Sequence, residues 1–125
     1  MDLLLFELEE LAYAVAVAEL ARIEDKPGKG GPRFGPWQRE LGRRGKRRPK
    51  ASFDKLLRLR GGRDEVVLYI DELGDIVTAA PEELSPFPIQ ASRAPTAYFR
   101  GGVEIHGRPR IVLNPAAFDS EEGDD

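Results

Sequence analysis

The chain reads as an all-β protein, a barrel architecture with helical trimmings. Its apolar runs are of strand length, and glycine, proline or acidic pairs punctuate them at short intervals. Neither a coiled-coil heptad nor an internal repeat is present. At 125 residues it is one domain of ordinary size, or two small lobes sharing a core, and can bury a real interior.

The elements follow in order. Leu3 to Leu8 forms a first strand, Glu9 and Glu10 make a turn, and Leu11 to Val15 returns as the second arm of a hairpin. From Ala14 to Ile23 alanine, leucine and glutamate take over, with Val17, Leu20 and Ala21 at helical spacing, which predicts one or two turns of helix. Residues 24 to 50, "EDKPGKGGPRFGPWQRELGRRGKRRPK", are too rich in Gly, Pro and basic residues to pack throughout. Within them Pro36 opens and Gly42 closes a short helix with Trp37 and Leu41 facing inward. Leu57 and Leu59 then alternate with Arg58 and Arg60, Gly61-Gly62 supplies a turn, and "EVVLYID" returns as a continuous apolar strand. A further strand spans Ile76 to Ala79, Pro81 starts a single helical turn, and Pro86 and Pro88 force an extended connection. "TAYFRGGVEIHGRPRIVLN" reads as strand, turn at "HGR" and strand, and Pro115 begins a last short helix carrying Phe118.

Composition narrows the function. Hydrophobic residues make up 41% and charged residues 33% of the chain, and no apolar run approaches the roughly 20 residues needed to span a bilayer. The apolar start carries Asp2, Glu7, Glu9 and Glu10 and lacks a basic n-region, unlike a signal peptide. With no cysteine there is no disulfide frame, thiol nucleophile or thiolate metal site, and a cytoplasmic location is the simplest expectation. The net charge of -3 conceals segregation: residues 26 to 50 hold ten of the 19 basic residues and one acid, while residues 119 to 125 hold five acids. That tail is expected to be disordered.

No residue set points to catalysis. His106, the single histidine, lies in a turn with no second histidine or cysteine to complete a usual zinc site. Asp71, Glu72 and Asp75 have no identifiable nucleophile or base partner and suit a strand end and turn. The glycine pairs lack the order of a phosphate cradle. The chain is therefore expected to be neither an enzyme nor a cofactor protein. The basic run in residues 39 to 50, with Arg43, Arg44, Lys46, Arg47 and Arg48, leaves two readings open: a solvated loop contacting an acidic partner or the acidic tail, or a nucleic-acid site on a small barrel. In "YFRGG", Phe99 is assigned to the core, with Tyr98 and Arg100 on the opposite face as candidates for a partner surface.

Three separated pieces resemble one family. "VVLYIDELGDIVTAAPEELSPFP" resembles the stretch of CheW-like domains in which a valine-rich strand ends in V-D-x-V and a P-E-x-[IL]-x-P-x-P passage leads onward. "YFRGGVEIHGRPRIVLNPAAF" resembles their closing Y-[IF]-x-G hairpin, D-G-R turn and L-L-[DN] strand. "LLLFELEELAYAVAVAELARI" is similar to their opening hairpin and V-x-E-[VI] passage. Ordinary members next carry an apolar segment that builds two more strands of the first lobe. Here "WQRELG" is similar to the short helix that follows that segment, and the two strands are missing.

The resemblance implies two small intertwined SH3-like five-stranded barrels, the first incomplete, in a single domain over residues 1–118 with residues 26–50 as a basic insert. It also implies a non-enzymatic adaptor between methyl-accepting chemoreceptors and a CheA-type histidine kinase, or another CheW-like protein. Receptor tips dock in the groove between lobes, which in this sequence draws on Val17, Leu20, Arg22 and Ile23 and on Tyr98, Arg100 and Gly101 of the closing hairpin. Arg22 stands where many members carry glutamate.

Overall fold

The opening hairpin turns on two residues. In the computed structural model, which describes residues 1–25, 31–42, 48–85 and 96–118, β1 (Asp2–Leu8) and β2 (Leu11–Ala16) pair antiparallel with Leu8 opposite Leu11. Glu9 and Glu10 both take positive φ, 51° and 73°, the backbone that a two-residue connection needs to match strand twist. β1 also pairs with β6 (Glu72–Thr78), so it is an interior strand. Leu3 and Leu5 are buried on one face, and Leu4, Phe6 and Leu8 on the other, which is why the run is apolar without alternation.

Eight strands form two sheets among the described residues. The larger has the order β6-β1-β2-β8-β7, with β7 (Phe99–Ile105) and β8 (Arg108–Leu113) as an antiparallel hairpin and β2 beside β8 in parallel. His106 and Gly107, with φ 53° and 78°, make its two-residue turn. The smaller sheet runs β3-β4-β5: β3 (Leu20–Asp25), β4 (Lys55–Arg60) and β5 (Glu65–Ile70), all antiparallel. The main core lies between the sheets. Leu4, Phe6, Leu8, Tyr13 and Val15 of the larger meet Leu57, Leu59 and the apolar run of β5 there, with Trp37 and Phe118 closing its side. A second cluster, Leu3, Leu5, Ala14, Ala79, Val103 and Val112, fills the other face of the larger sheet.

Several sequence expectations are met. Helix α1 spans Pro36–Leu41 with Trp37 and Leu41 buried, β4 and β5 form the predicted hairpin, and single 3-10 turns start at Pro81 and Pro115. Others are corrected. The predicted helix before Ile23 is one 3-10 turn, Val17–Glu19, and Leu20–Asp25 is strand β3. Pairing Leu20 with Leu59 and Ile23 with Leu57 wins over the modest helix preference of Ala, Leu and Glu. β6 starts at Glu72 rather than Ile76, and Thr96–Tyr98 is a 3-10 turn ahead of β7. Between β3 and β4 the described residues form α1 and a 3-10 turn, Lys50–Ser52, and no strand. The predicted extended passage at Pro86 and Pro88 and the acidic tail lie outside the described residues. No helix among the described residues is long and apolar enough to cross a membrane.

Candidate partner-binding surface

The chain passes from one sheet to the other through the turn Val17–Glu19. Because β2 runs parallel to β8, with Ala14 beside Val112, this turn emerges at the end of the sheet where β7 begins. An ion pair closes the gap: the Arg100 guanidinium donates to Glu19 Oε2. Val17, Glu19 and Leu20 therefore stand alongside Arg100, although Glu19 and Arg100 are 81 residues apart. Glu19 is 19% exposed, and its second oxygen, Oε1, is buried without a hydrogen-bond partner among the described residues. A half-buried carboxylate with one lone acceptor favours a further donor.

Tyr98 sits in the 3-10 turn, half-buried, so strict side-chain alternation begins only at Phe99, which is buried as expected. The Tyr98 hydroxyl donates to Glu40 of α1 at 2.9 Å, and its ring meets Phe118 edge-on at 4.9 Å. Phe118 in turn stacks on Trp37 at 5.3 Å. Gly101 is buried, with φ 148°. A Cβ there would lie 2.6 Å from the Ser85 carbonyl oxygen, and the close approach lets Gly102 and Ser85 exchange backbone hydrogen bonds at 2.8 and 2.9 Å. Gly101 thus shapes the hairpin and offers no side chain to a partner.

Along β3 the candidates divide. Leu20 packs half-buried on the main core, whereas Ile23 is 38% exposed. Arg22 points to the opposite face from Ile23, opposite Arg58 in the ladder. Arg22 and Arg58 both hold Glu24, at 2.9 and 2.5 Å. The hydrogen bond from Arg58 is the largest effect on the Glu24 carboxyl, and with the Arg22 hydrogen bond and both guanidinium charges it outweighs the upward push of desolvation and holds the group below its usual range. Glu19 thus meets Arg100 where the chain passes between the sheets, with Val17 and Leu20 flanking Glu19 and Tyr98 two residues before Arg100; Ile23 lies farther along β3, opposite Leu57, and Arg22 belongs to a charge cluster with Arg58 and Glu24.

The basic run fares differently. Arg43, Arg44, Lys46 and Arg47 lie outside the described residues. Arg48 is committed inside the fold, which corrects its place as a free contact residue. Its guanidinium donates to both oxygens of Asp71, at 2.7 and 3.0 Å, to Glu9 at 3.3 Å and to the Ser52 carbonyl, and lies 3.9 Å from the Phe53 ring centroid. Asp71 also accepts the Glu9 backbone N–H at 2.8 Å. Burial pushes the Asp71 carboxyl up, but the Arg48 hydrogen bond, the Glu9 N–H and the Arg48 charge together hold it below the usual range. Arg48 therefore clamps the β1–β2 turn to the β5–β6 junction. His106 is an exposed turn residue.

Sequence reasoning missed three participants: Glu19, Glu40 and Gln38. A glutamate in "VAEL" or "QREL" carries no local sign of a distant partner, so only the topology reveals these pairings. Gln38, next to a predicted inward Trp, is the single buried polar side chain among the described residues.

No protein-family model matches the chain, and no curated protein sequence matches it. Among solved structures the fold is similar to that of the scaffolding protein TtCheW from Thermoanaerobacter tengcongensis. The TM-score is 0.67 and the sequence identity 14%, over 90% of this chain and 88% of that one. At that identity the likeness is one of fold, and the two-sheet all-β architecture is CheW-like.

Proposed function

We propose that the chain is a non-enzymatic, cytoplasmic adaptor of a chemosensory array, binding chemoreceptor tips at the junction of its two sheets. The observation that carries this reading is the CheW-like fold over 90% of the chain, supported by the Arg100–Glu19 pair beside Val17 and Leu20 at that junction. Val17, Leu20 and Ile23 supply apolar contact, and Tyr98 and Arg100 are residue types enriched at binding hot spots. A three-stranded smaller sheet supports weakened direct pairing with a CheA-type kinase. On this reading the protein tunes the coupling of receptors to the kinase, in the manner of a shortened family member such as FrzB of the Frizzy pathway. The engagement of Arg48 by Asp71 and Glu9 removes one phosphate contact from the nucleic-acid alternative.

The test is titration of a chemoreceptor cytoplasmic hairpin against the wild type, Ile23→Asp and Arg100→Glu. Each substitution is expected to weaken binding about tenfold or more, the loss of one hot-spot contact. Undiminished binding by both variants removes the surface from the proposal. Absence of wild-type binding, with steeply salt-dependent binding to an oligonucleotide instead, overturns the adaptor reading itself.

A further inference from the structure

An end strand of a sheet leaves every second backbone N–H and C=O without a ladder partner, and a second chain can pair there. β5 is an end strand of the smaller sheet, yet part of this edge is occupied by side chains of α1. The Gln38 amide donates through Nε2 to the Tyr69 carbonyl at 2.9 Å and accepts the Tyr69 N–H through Oε1 at 2.8 Å. Two residues along the same edge, Trp37 Nε1 donates to the Val67 carbonyl at 2.7 Å. The primary amide of Gln38 reproduces the donor and acceptor pair that a neighbouring strand would offer Tyr69, and the indole supplies a further donor. Gln38 is 7% exposed and Trp37 2%, so the contacts exclude water. The helix is held from outside as well, because Tyr13 donates its hydroxyl to the Leu41 carbonyl at 2.6 Å and Phe118 stacks on Trp37.

The guarded segment has the composition that makes such a guard necessary. Residues 66 to 70, "VVLYI", are β-branched, aromatic or leucine, with neither charge nor proline, the signature of a strand prone to pair with copies of itself. We infer that α1 is a built-in cap on the β5 edge, taking the hydrogen bonds of an absent neighbouring strand and keeping β5 from pairing with β5 of a second copy. The partner on release is β5 itself: an antiparallel two-fold pairing about Val67 sets Val66 against Leu68 with no charge opposing it. The inference stands whether or not the chain binds a receptor.

The experiment uses the whole chain carrying Gln38→Met, which keeps side-chain length and removes the amide, and Gln38→Glu. Amide hydrogen exchange is read at Tyr69, whose N–H faces α1, and at Leu68, whose N–H faces β4 by strand alternation. Sedimentation velocity over a range of concentrations reads association. Gln38→Met is expected to speed exchange at Tyr69 at least tenfold, to leave Leu68 protected, and to produce concentration-dependent dimers and larger species. Gln38→Glu is expected to associate at neutral pH and to revert on mild acidification, when a protonated carboxyl again donates to the Tyr69 carbonyl. Exposure of the Tyr69 amide in a chain that stays monomeric at every concentration overturns the inference, as does wild-type protection at Tyr69. If Gln38→Met loses Leu68 protection too, the decision rests on Gln38→Glu. Association reversed by acid supports the cap, and association insensitive to pH, or none, overturns it.

Discussion

Gly101 is the residue at which the closing hairpin tolerates no side chain. Its φ of 148° is one that L-residues rarely adopt, and its missing Cβ is the space in which Ser85 reaches the strand. Gly101→Ala is therefore expected to cost about 1–3 kcal/mol in chemical denaturation, the range for a strained backbone position; an unchanged midpoint would show that the bridge to Ser85 is dispensable. Asp71 and Arg48 give the pH dependence at this scale. The Asp71 carboxyl is lowered in the folded state, so its stabilisation is complete above the unfolded carboxylate range and drains away as pH falls through the lowered folded value. Asp71→Asn should lose about 1–2 kcal/mol at neutral pH, discounted because the pair is partly exposed. It should also show a flatter decline on the acid side, measured by denaturation across that range. These roles were hidden in the sequence: Arg48 reads as one more member of a basic run, and nothing local distinguishes it from Arg47.

Among the elements, α1 and β3 make opposite cases. Helix α1 was legible because its punctuation is local: Pro36 fits the first helical position, Gly42 ends the run, and Trp37 and Leu41 lie on one face. Strand β3 was not, because its state is decided by β4, some 30 residues away, and ladder pairing overrides propensity. The two-residue turns were legible as turns, yet Glu9-Glu10 gave no sign of its positive φ values. The role of α1 in holding the core sets a measurable cost. Trp37 stacks on Phe118 and is 2% exposed, so Trp37→Ala is expected to destabilise by about 3–5 kcal/mol. A loss below 1 kcal/mol, read from the same denaturation curves, would mean that α1 rests on the fold without supporting it.

At the scale of the whole molecule, the shape follows from a continuous apolar core shared by two unequal sheets, of five and three strands. The all-β class was readable, since strand-length apolar runs punctuated by turn residues carry it, and the Gly, Pro and basic segment was rightly denied the apolar alternation of a sheet. The sequence nominated Val17, Leu20, Ile23, Tyr98 and Arg100 as candidates but gave no sign of the Arg100–Glu19 pair between distant segments. The proposed adaptor role rests on the junction beside Arg100 and Glu19 for the receptor and on a three-stranded smaller sheet for weaker kinase pairing. The central claim is therefore a preference between partners. It is tested most directly by titrating the wild-type chain, at one moderate salt concentration, against a chemoreceptor cytoplasmic hairpin and against the regulatory domain of a CheA-type kinase. The account predicts saturable binding to the receptor with kinase binding at least tenfold weaker, about 1.4 kcal/mol; equal or tighter binding to the kinase domain, or none to the receptor, would contradict it.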